Sequence, residues 1–271
     1  MEEIISPRLI KVPYGLLRCH VLVPIIEICN VTKTFGSSQR PTIVLDNINL
    51  FVGEHEFVGI VGPSGCGKST LLRLMMGLTK PTEGEIYYRG KKVQDVCAGM
   101  AMVFQTFAIF PWLTVVENVE LGLQGKPFAE RERRERALRT VELMGLNGFE
   151  EAYPRELSGG MKQRVGLARA LISDPEVLLM DEPFSSLDPL TATHLREEVL
   201  DLWSDLSVAP EAVVMVTHNV EEAVYMADRV IVLAPRPGRI AREVPVQIPR
   251  PRDPRSSGLY RVVDEITGLI A

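Results

Sequence analysis

A glycine-rich segment between a short apolar run and a helical pattern carries the clearest chemistry in the sequence. The residues Gly62, Pro63, Ser64, Gly65, Cys66, Gly67, Lys68 and Ser69 fit G-x-x-x-x-G-K-[ST] at every fixed position. Glycines let successive backbone N–H groups converge on one small volume, and the following helix start adds unpaired donors and a positive dipole end. The segment predicts a polyphosphate site, with Lys68 on the β- and γ-phosphates and the Ser69 hydroxyl as a Mg²⁺ ligand.

Two acidic residues follow a second apolar strand pattern, Val177 to Met180. The carboxyl ends of parallel strands form the ligand-binding edge of an α/β sheet, so Asp181 and Glu182 are expected beside the phosphate site. Asp181 is a candidate to hold the Mg²⁺ shell, and Glu182 is a candidate to polarise a water molecule as the catalytic base.

Three further side chains stand at the ends of predicted strands. Gln105 follows the strand pattern 101–104 and is a candidate to contact Mg²⁺ or the attacking water, although a surface glutamine is the simpler interpretation. His218 follows the pattern 213–217 and is a candidate to donate to a γ-phosphate and orient the water. Phe35 ends the first strand. An aromatic ring there either stacks on a purine or packs against the protein itself, and the pattern alone favours packing.

A second helix start that could bind a phosphate lies at Ser158, Gly159 and Gly160. Ser158 is a suitable N-cap, and the small residues after it leave the first N–H groups open to close approach. One nucleotide does not need two such helix starts.

The segment 106–119 is unusually apolar for a loop, and two interpretations stand equally: a small satellite core or an exposed patch that docks on a partner.

The intervening patterns predict an α/β fold. We expect antiparallel strands at 25–35 and 44–52, a strand at 85–88, parallel strands at 57–61, 101–104, 177–180, 213–217 and 230–234, and an edge strand ending near Pro245. Helices are expected after Gly67, over 128–146, after Ser158 and over 220–227.

Composition excludes several classes of protein. The 271 residues carry a formal net charge of −5, so no overall basic field favours nucleic acid. Cys19, Cys29, Cys66 and Cys97 have neither metal-ligand spacing nor a disulfide pattern, which fits a reducing cytoplasm. The apolar run 16–28 is interrupted by charges and a proline and is too short to span a membrane.

Cys66, at a helix start beside a lysine, is expected to have a reactive thiolate.

Together these motifs resemble the nucleotide-binding subunit of an ATP-binding cassette transporter. The likeness covers 25–248 and rests on the loop 62–69, Gln105, LSGGM (157–161), VLLMDEP (177–183), SSLD (185–188) and His218. It implies a P-loop NTPase (RecA-like) core with an antiparallel β subdomain and an α-helical subdomain inserted at about 106–165. Residues 1–24 are then an N-terminal extension and 249–271 a proline-rich C-terminal tail. Phe35, Met161 and Asn219 stand where many members have tyrosine, glutamine and aspartate.

The resemblance implies Mg²⁺-dependent ATP hydrolysis in a head-to-tail dimer with a second copy or a paralogous ATPase. It assigns catalysis to Glu182, His218 and Gln105, and the metal to Ser69, Gln105 and Asp181. It assigns nucleotide contacts to Phe35, Gly62, Pro63, Ser64, Gly65, Cys66, Gly67, Lys68, Ser69, Thr70, Ser158, Gly159 and Gly160.

The segments PWLTVVENV and PRPGRI are similar to those of importers of nitrate, sulfonates, taurine or related small anions. Such a chain would lie at the cytoplasmic face of the cell membrane and bind permease subunits, with an extracytoplasmic solute-binding protein as an indirect partner and no nucleic acid. The alternatives are an importer ATPase for a different solute, or a soluble cassette ATPase of DNA repair or translation, which would carry long coiled coils or two cassettes. A GTPase or kinase ranks last, because no N-K-x-D segment occurs for guanine recognition.

Overall fold

A computed structural model describes residues 24–37, 40–204 and 210–270. The predicted extension 1–24 lies outside this part of the chain except for Pro24. The strands are β1 (Pro24–Phe35), β2 (Thr42–Gly53), β3 (Glu56–Val61), β4 (Glu83–Tyr88), β5 (Lys91–Lys92), β6 (Met100–Val103), β7 (Val177–Asp181), β8 (Ala212–Val216), β9 (Arg229–Leu233) and β10 (Ile240–Pro245). The helices are α1 (Lys68–Met76), α2 (Val115–Glu120), α3 (Glu130–Leu143), α4 (Gly159–Leu171), α5 (Pro189–Ser204), α6 (Val220–Met226) and α7 (Ser257–Ile270).

The strands form two sheets. One is antiparallel, in the order β2-β1-β4-β5. The other has the order β10-β9-β3-β8-β7-β6, with β6, β7, β8, β3 and β9 parallel and β10 antiparallel at the edge. Pro245 lacks a backbone donor, and the edge position predicted for its strand is confirmed.

Helix α1 lies between the two sheets. Leu71, Leu72 and Met75 of α1 are fully buried in one core with residues of β1, β2 and one face of the parallel sheet. The opposite face of that sheet packs on α2, α4, α6 and α7 in a second core. The strands buried on both faces are continuous apolar runs, as expected for a covered parallel sheet. The predicted fold class is confirmed, with the helices α2 to α4 inserted between β6 and β7.

The C-terminal segment differs from the predicted proline-rich tail. From Ser257 it is a helix, and Leu259, Val263 and Ile266 are buried at helical spacing in the second core, where α7 packs on α6. The prolines occupy only the preceding link. There Arg252 is buried and donates to the carbonyls of Val224 and Ala227 at 2.7 and 2.6 Å, and burial lowers the pKa of Arg252 to about 10.

Candidate functional site

The site residues are brought together by the register of three neighbouring parallel strands. Asp181 at the end of β7 pairs with Val216 of β8, and Val216 pairs with Ile60 of β3. Beyond the strands, the Glu182 N–H donates to the Val216 carbonyl at 2.8 Å, and the Thr217 N–H donates to the Ile60 carbonyl at 3.1 Å. The segments that follow β3, β7 and β8 therefore leave the sheet side by side.

The phosphate loop is closed on itself around Lys68. Gly67 has a φ of 106°, and a side chain there would meet Leu45 at 2.6 Å, so only glycine fits before α1. The Lys68 side chain is buried, and its Nζ donates to the carbonyls of Gly62 and Pro63 at 2.8 and 3.2 Å. The loop thus holds a positive charge at a helix start, as a polyphosphate requires.

Two of the three predicted metal ligands, Ser69 and Asp181, already contact each other. The Ser69 hydroxyl donates to Asp181 Oδ1 at 2.8 Å, and burial raises the pKa of Asp181 while this hydrogen bond opposes the shift. Within 24–37, 40–204 and 210–270, no group of three or more His, Cys, Asp or Glu side chains is arranged to hold a metal. A hydroxyl and a carboxylate beside a phosphate site suit Mg²⁺, which keeps waters and takes few protein ligands.

Glu182 is at the centre of the polar side chains. Its Oε2 accepts from Gln105 Nε2 at 3.2 Å and contacts His218 Nδ1 at 3.0 Å. Its backbone has a φ of 46°, an uncommon conformation for a non-glycine residue and one that concentrates at functional sites. Ser186 of the SSLD segment donates to the Gln105 carbonyl at 3.1 Å, which ties these loops together. The structure therefore assembles all three predicted catalytic residues.

The second helix start lies apart from the first. Ser158 caps α4, since its Oγ accepts from the Met161 N–H at 3.3 Å. Ser158 and Gly159 are exposed, whereas Gly160 packs so closely on Thr191 that an added Cβ would lie 2.5 Å from it. In the part of the chain that the structure describes, no hydrogen bond joins this helix start to the phosphate loop.

Phe35 and Cys66 are both predicted to contact the nucleotide, but they differ in their exposure to solvent. Phe35 is exposed at the end of β1, and Lys33 Nζ lies over its ring, 4.9 Å from the centroid. The prediction of a reactive thiolate at Cys66 is wrong. Its side chain is 1% exposed, and burial raises the pKa of the thiol more than the nearby Lys68 charge lowers it.

The apolar segment 106–119 divides between the two interpretations. Val115, Val116 and Val119 join the core, whereas Phe110 and Trp112 are 39% and 68% exposed with ring centroids 5.3 Å apart. We call Phe110 and Trp112 the aromatic pair.

A buried asparagine and a partly buried arginine fix the backbone of this segment. Asn118 accepts from the Phe110 N–H at 2.7 Å and donates to the Leu113 carbonyl at 3.0 Å. Arg169 of α4 donates to the carbonyls of Ala108 and Phe107 at 2.6 and 3.1 Å. The aromatic pair is thus presented from a fixed backbone that is also tied to α4.

Arg236 contacts the phosphate loop and was not predicted. Its Nε donates to the Gly65 carbonyl at 2.8 Å, and a side chain at Gly65 would lie 2.7 Å from its Nη2. The sequence offers no local signal for this contact, because 171 residues separate the two partners. Only the pairing of β9 with β3 brings the turn after β9 to the loop after β3.

Residues 45–185 match the profile of the ABC transporter family. The chain belongs to this family.

Two relatives are import ATP-binding proteins by name. The chain is 45% identical over 240 residues to the nitrate import ATP-binding protein NrtD of Synechocystis sp., covering 89% of each protein. It is 42% identical over 231 residues to the aliphatic sulfonates import ATP-binding protein SsuB of Bacillus licheniformis, covering 85% of this chain and 88% of the relative.

Among solved structures, the chain is similar to the dimeric ATP-binding cassette MJ0796 in a post-hydrolysis state bound to ADP and Pi. The TM-score is 0.72 at 36% identity, with 82% of this chain and 99% of that chain covered. The chain is therefore an ABC transporter ATPase, as its motifs predict. None of its described helices is long and apolar enough to cross a membrane.

Proposed function

We propose that this ABC transporter ATPase drives the import of a small anion such as nitrate, taurine or another sulfonate. Two relatives with 45% and 42% identity carry nitrate and aliphatic sulfonate import, respectively, in their names. The observation that carries the hydrolytic part is the environment of Glu182, where Gln105 and His218 contact one carboxylate oxygen, Oε2. No hydrogen bond among the described residues reaches Oε1, which leaves that oxygen to accept a proton from water.

In this mechanism each side chain has a separate task. Lys68 releases its loop carbonyls and binds the β- and γ-phosphates, and the loop N–H groups from Gly65 onward hold the phosphate oxygens. Glu182 accepts the proton of the attacking water, while His218 and Gln105 fix the orientation of its carboxylate. Phe35 stacks on the purine, and Lys33 lies near the Phe35 ring.

Ser69 and Asp181 would hold Mg²⁺, with Gln105 as a further oxygen ligand. When bound, Mg²⁺ neutralises charge on the phosphates and on the leaving group. Asp181 has to be ionised for this role, and its burial raises the free-energy cost of keeping that charge without a cation. The carboxylate is therefore better suited to the metal-bound state than to the free one.

The exposed start of α4 is proposed to complete the nucleotide site of a second ATPase subunit. Ser158 and Gly159 are exposed at the start of α4, and no hydrogen bond among the described residues joins them to the phosphate loop of their own chain. A second copy or a paralogous ATPase in head-to-tail contact would place each α4 start over the γ-phosphate held by its partner. ATP then closes the dimer and hydrolysis reopens it.

The aromatic pair is proposed to receive a permease segment at the cytoplasmic face of the membrane, with a solute-binding protein acting through the permease. Exposed aromatic side chains on a fixed backbone are typical of interface anchors. Nucleic acid is not a proposed partner, because the net charge is −5.

The test is solute uptake by the chain reconstituted with its permease and binding protein in vesicles. Nitrate, taurine and an alkanesulfonate are compared with an uncharged sugar of similar size, with Mg-ATP on the ATPase side. We expect uptake of one anion and stimulation of ATP turnover by that anion alone, both abolished by Glu182→Gln. Equal stimulation by the sugar would refute the anion assignment, and uptake that survives Glu182→Gln would refute the coupling.

A further inference from the structure

The two neighbours of His218 in the chain, Thr217 and Asn219, are hydrogen-bonded to each other and to Glu222. The Thr217 hydroxyl donates to Glu222 Oε2 and accepts from the Asn219 N–H at 3.0 Å. The Asn219 side-chain oxygen in turn accepts from the Glu222 N–H at 3.2 Å. These bonds form a ring, which we call the 217–222 ring, around the backbone of His218. Thr217 and Glu222 are 2% and 5% exposed.

The direction of each bond in the ring is determined by its chemistry. A backbone N–H can only donate, so the Thr217 oxygen accepts from Asn219 and its single hydrogen is directed to Glu222. Replacing the hydroxyl by a methyl group would therefore leave both the Asn219 N–H and the Glu222 carboxyl without their partner.

The backbone at His218 has few other restraints. The strand ladder ends with the Thr217 N–H, which donates to the Ile60 carbonyl at 3.1 Å, and α6 begins only at Val220. The imidazole is half-exposed, and among the described residues its hydrogen bond is the 3.0 Å contact with Glu182. The position of the ring nitrogen is therefore set mainly from the backbone side.

Burial of Glu222 is otherwise unexplained. Burial raises the pKa of this carboxyl, and Arg196 of α5, His218 and Glu182 are the charged or titratable groups that act on it. Arg196 donates to Thr193 and to the Ala192 carbonyl, both in α5, at 3.0 and 3.2 Å. Thr217 is the side chain to which Glu222 is hydrogen-bonded, so the carboxyl serves the turn that carries His218.

We infer that Thr217 and Glu222 are positioning residues for hydrolysis, holding the backbone so that the His218 imidazole meets Glu182 and the γ-phosphate. The inference rests on the proposed function, in which His218 orients the reacting groups. Both side chains are buried, so we expect neither to contact the nucleotide. Loss of the ring therefore lowers kcat through His218 and leaves the ATP affinity unchanged.

The test compares Thr217→Val, which has nearly the same volume, with Thr217→Ser, which keeps the hydroxyl. We expect kcat for ATP to fall roughly tenfold in Thr217→Val with KM unchanged, and Thr217→Ser to retain most of the wild-type kcat. The same pair is then made in a His218→Ala background, where we expect Thr217→Val to cause no further loss. The imidazole nitrogen resonances of His218, observed by NMR, should shift or broaden in Thr217→Val and not in Thr217→Ser.

The outcomes separate the inference from the proposed function. If His218→Ala leaves kcat unchanged, the proposed role of His218 fails. If His218→Ala lowers kcat but Thr217→Val does not, or if Thr217→Val lowers kcat equally with and without His218, the inference alone is overturned. Should Thr217→Val not fold, the exposed Asn219 supplies the same comparison through Asn219→Ala and its control Asn219→Asp, which keeps the cap.

Discussion

The two helix starts of this chain have similar sequences and opposite surroundings. At α1, Gly67 precedes a buried lysine whose ammonium donates to two carbonyls of its own loop, and Cys66 is enclosed. At α4, Ser158 and Gly159 are exposed and the described contacts of the start lie within its own cap and against α5. The start of α1 is arranged to bind a phosphate ligand. The start of α4 lacks the other half of a phosphate site.

Under the proposed function, this difference predicts that a single copy of the chain binds ATP but turns it over poorly. Lys68, Ser69, Asp181 and Glu182 are assembled by one sheet edge, so binding and the proton acceptor belong to one subunit. In the proposed head-to-tail dimer, the α4 start reaches the γ-phosphate that the other subunit holds. The first prediction below changes the proton acceptor, and the others change one start and leave the other intact.

Removing the proton acceptor should have the largest effect. Glu182→Gln keeps the size of the side chain and its contacts with Gln105 and His218 but removes the base, so ATP turnover should fall by roughly 10²–10⁴-fold. Phosphate release gives the rate, and retention of labelled ATP shows that nucleotide binding is intact. If turnover stays within a few fold of wild type, another group is the base.

Removing the charge of the α1 start should have the next largest effect. Lys68→Ala loses the ammonium contact with the phosphates, about 2–4 kcal/mol, so Kd for Mg-ATP should rise roughly 30- to 1,000-fold. Calorimetry measures Kd, and circular dichroism checks that the chain stays folded. The matched control is Lys126→Ala, since Lys126 donates to the Ser173 carbonyl away from the site. An unchanged Kd in Lys68→Ala would contradict the assignment of the phosphate loop.

A charge at the α4 start should break the dimer without changing binding to the monomer. Aspartate caps a helix as well as serine does, so Ser158→Asp keeps α4 intact but places a negative charge against the γ-phosphate of the partner. In a Glu182→Gln background the ATP-dependent dimer should weaken by about 3 kcal/mol, roughly 100-fold.

Sedimentation measures this dimer, and Ser158→Asn is the neutral control with the same capping ability. The monomer should bind ATP with the same Kd in both variants. Equal dimerisation of Ser158→Asp and Ser158→Asn would mean that this start does not face a phosphate.

Thiol labelling should distinguish the enclosed start from the open one. Burial raises the pKa of the Cys66 thiol, so its alkylation should be at least about tenfold slower than that of a Ser158→Cys variant at the exposed start of α4. Peptide mapping after timed exposure to iodoacetamide gives both rates in one sample. With Glu182→Gln and ATP, the Ser158→Cys rate should fall as the dimer forms. Faster labelling of Cys66 would contradict its burial.

The parts of the fold that depend on short-range pattern were predictable. The strands β3, β7 and β8 are continuous apolar runs with polar residues at their ends, and this pattern was sufficient to place Asp181, Glu182 and His218 at one edge. Helix α5 was missed although its signal is present, because Ala192, Leu195 and Val199 recur at helical spacing after Asp188 and a proline.

The remaining features depend on contacts that a local pattern does not contain. In β1, strict alternation would place Ile26, Ile28 and Asn30 on one face, but a register shift after Ile28 turns Asn30 outward with a φ of 50° and buries Val31 instead. Burial of Cys66 follows from how the turn at Gly238 packs on the loop. The sequence shows the neighbours of Cys66 along the chain, whereas its pKa depends on neighbours in space.

The shared register of the sheet edge also constrains how this protein can change in evolution. Asp181 pairs with Val216, which pairs with Ile60, so the length of each strand is as important as the residues in it. Deleting one residue from β8 would draw His218 back by about 3.3 Å and turn every side chain after the deletion to the opposite face. Changes of length should therefore accumulate in turns such as 145–149, where Gly148 has open space around it, while the strands vary by substitution alone.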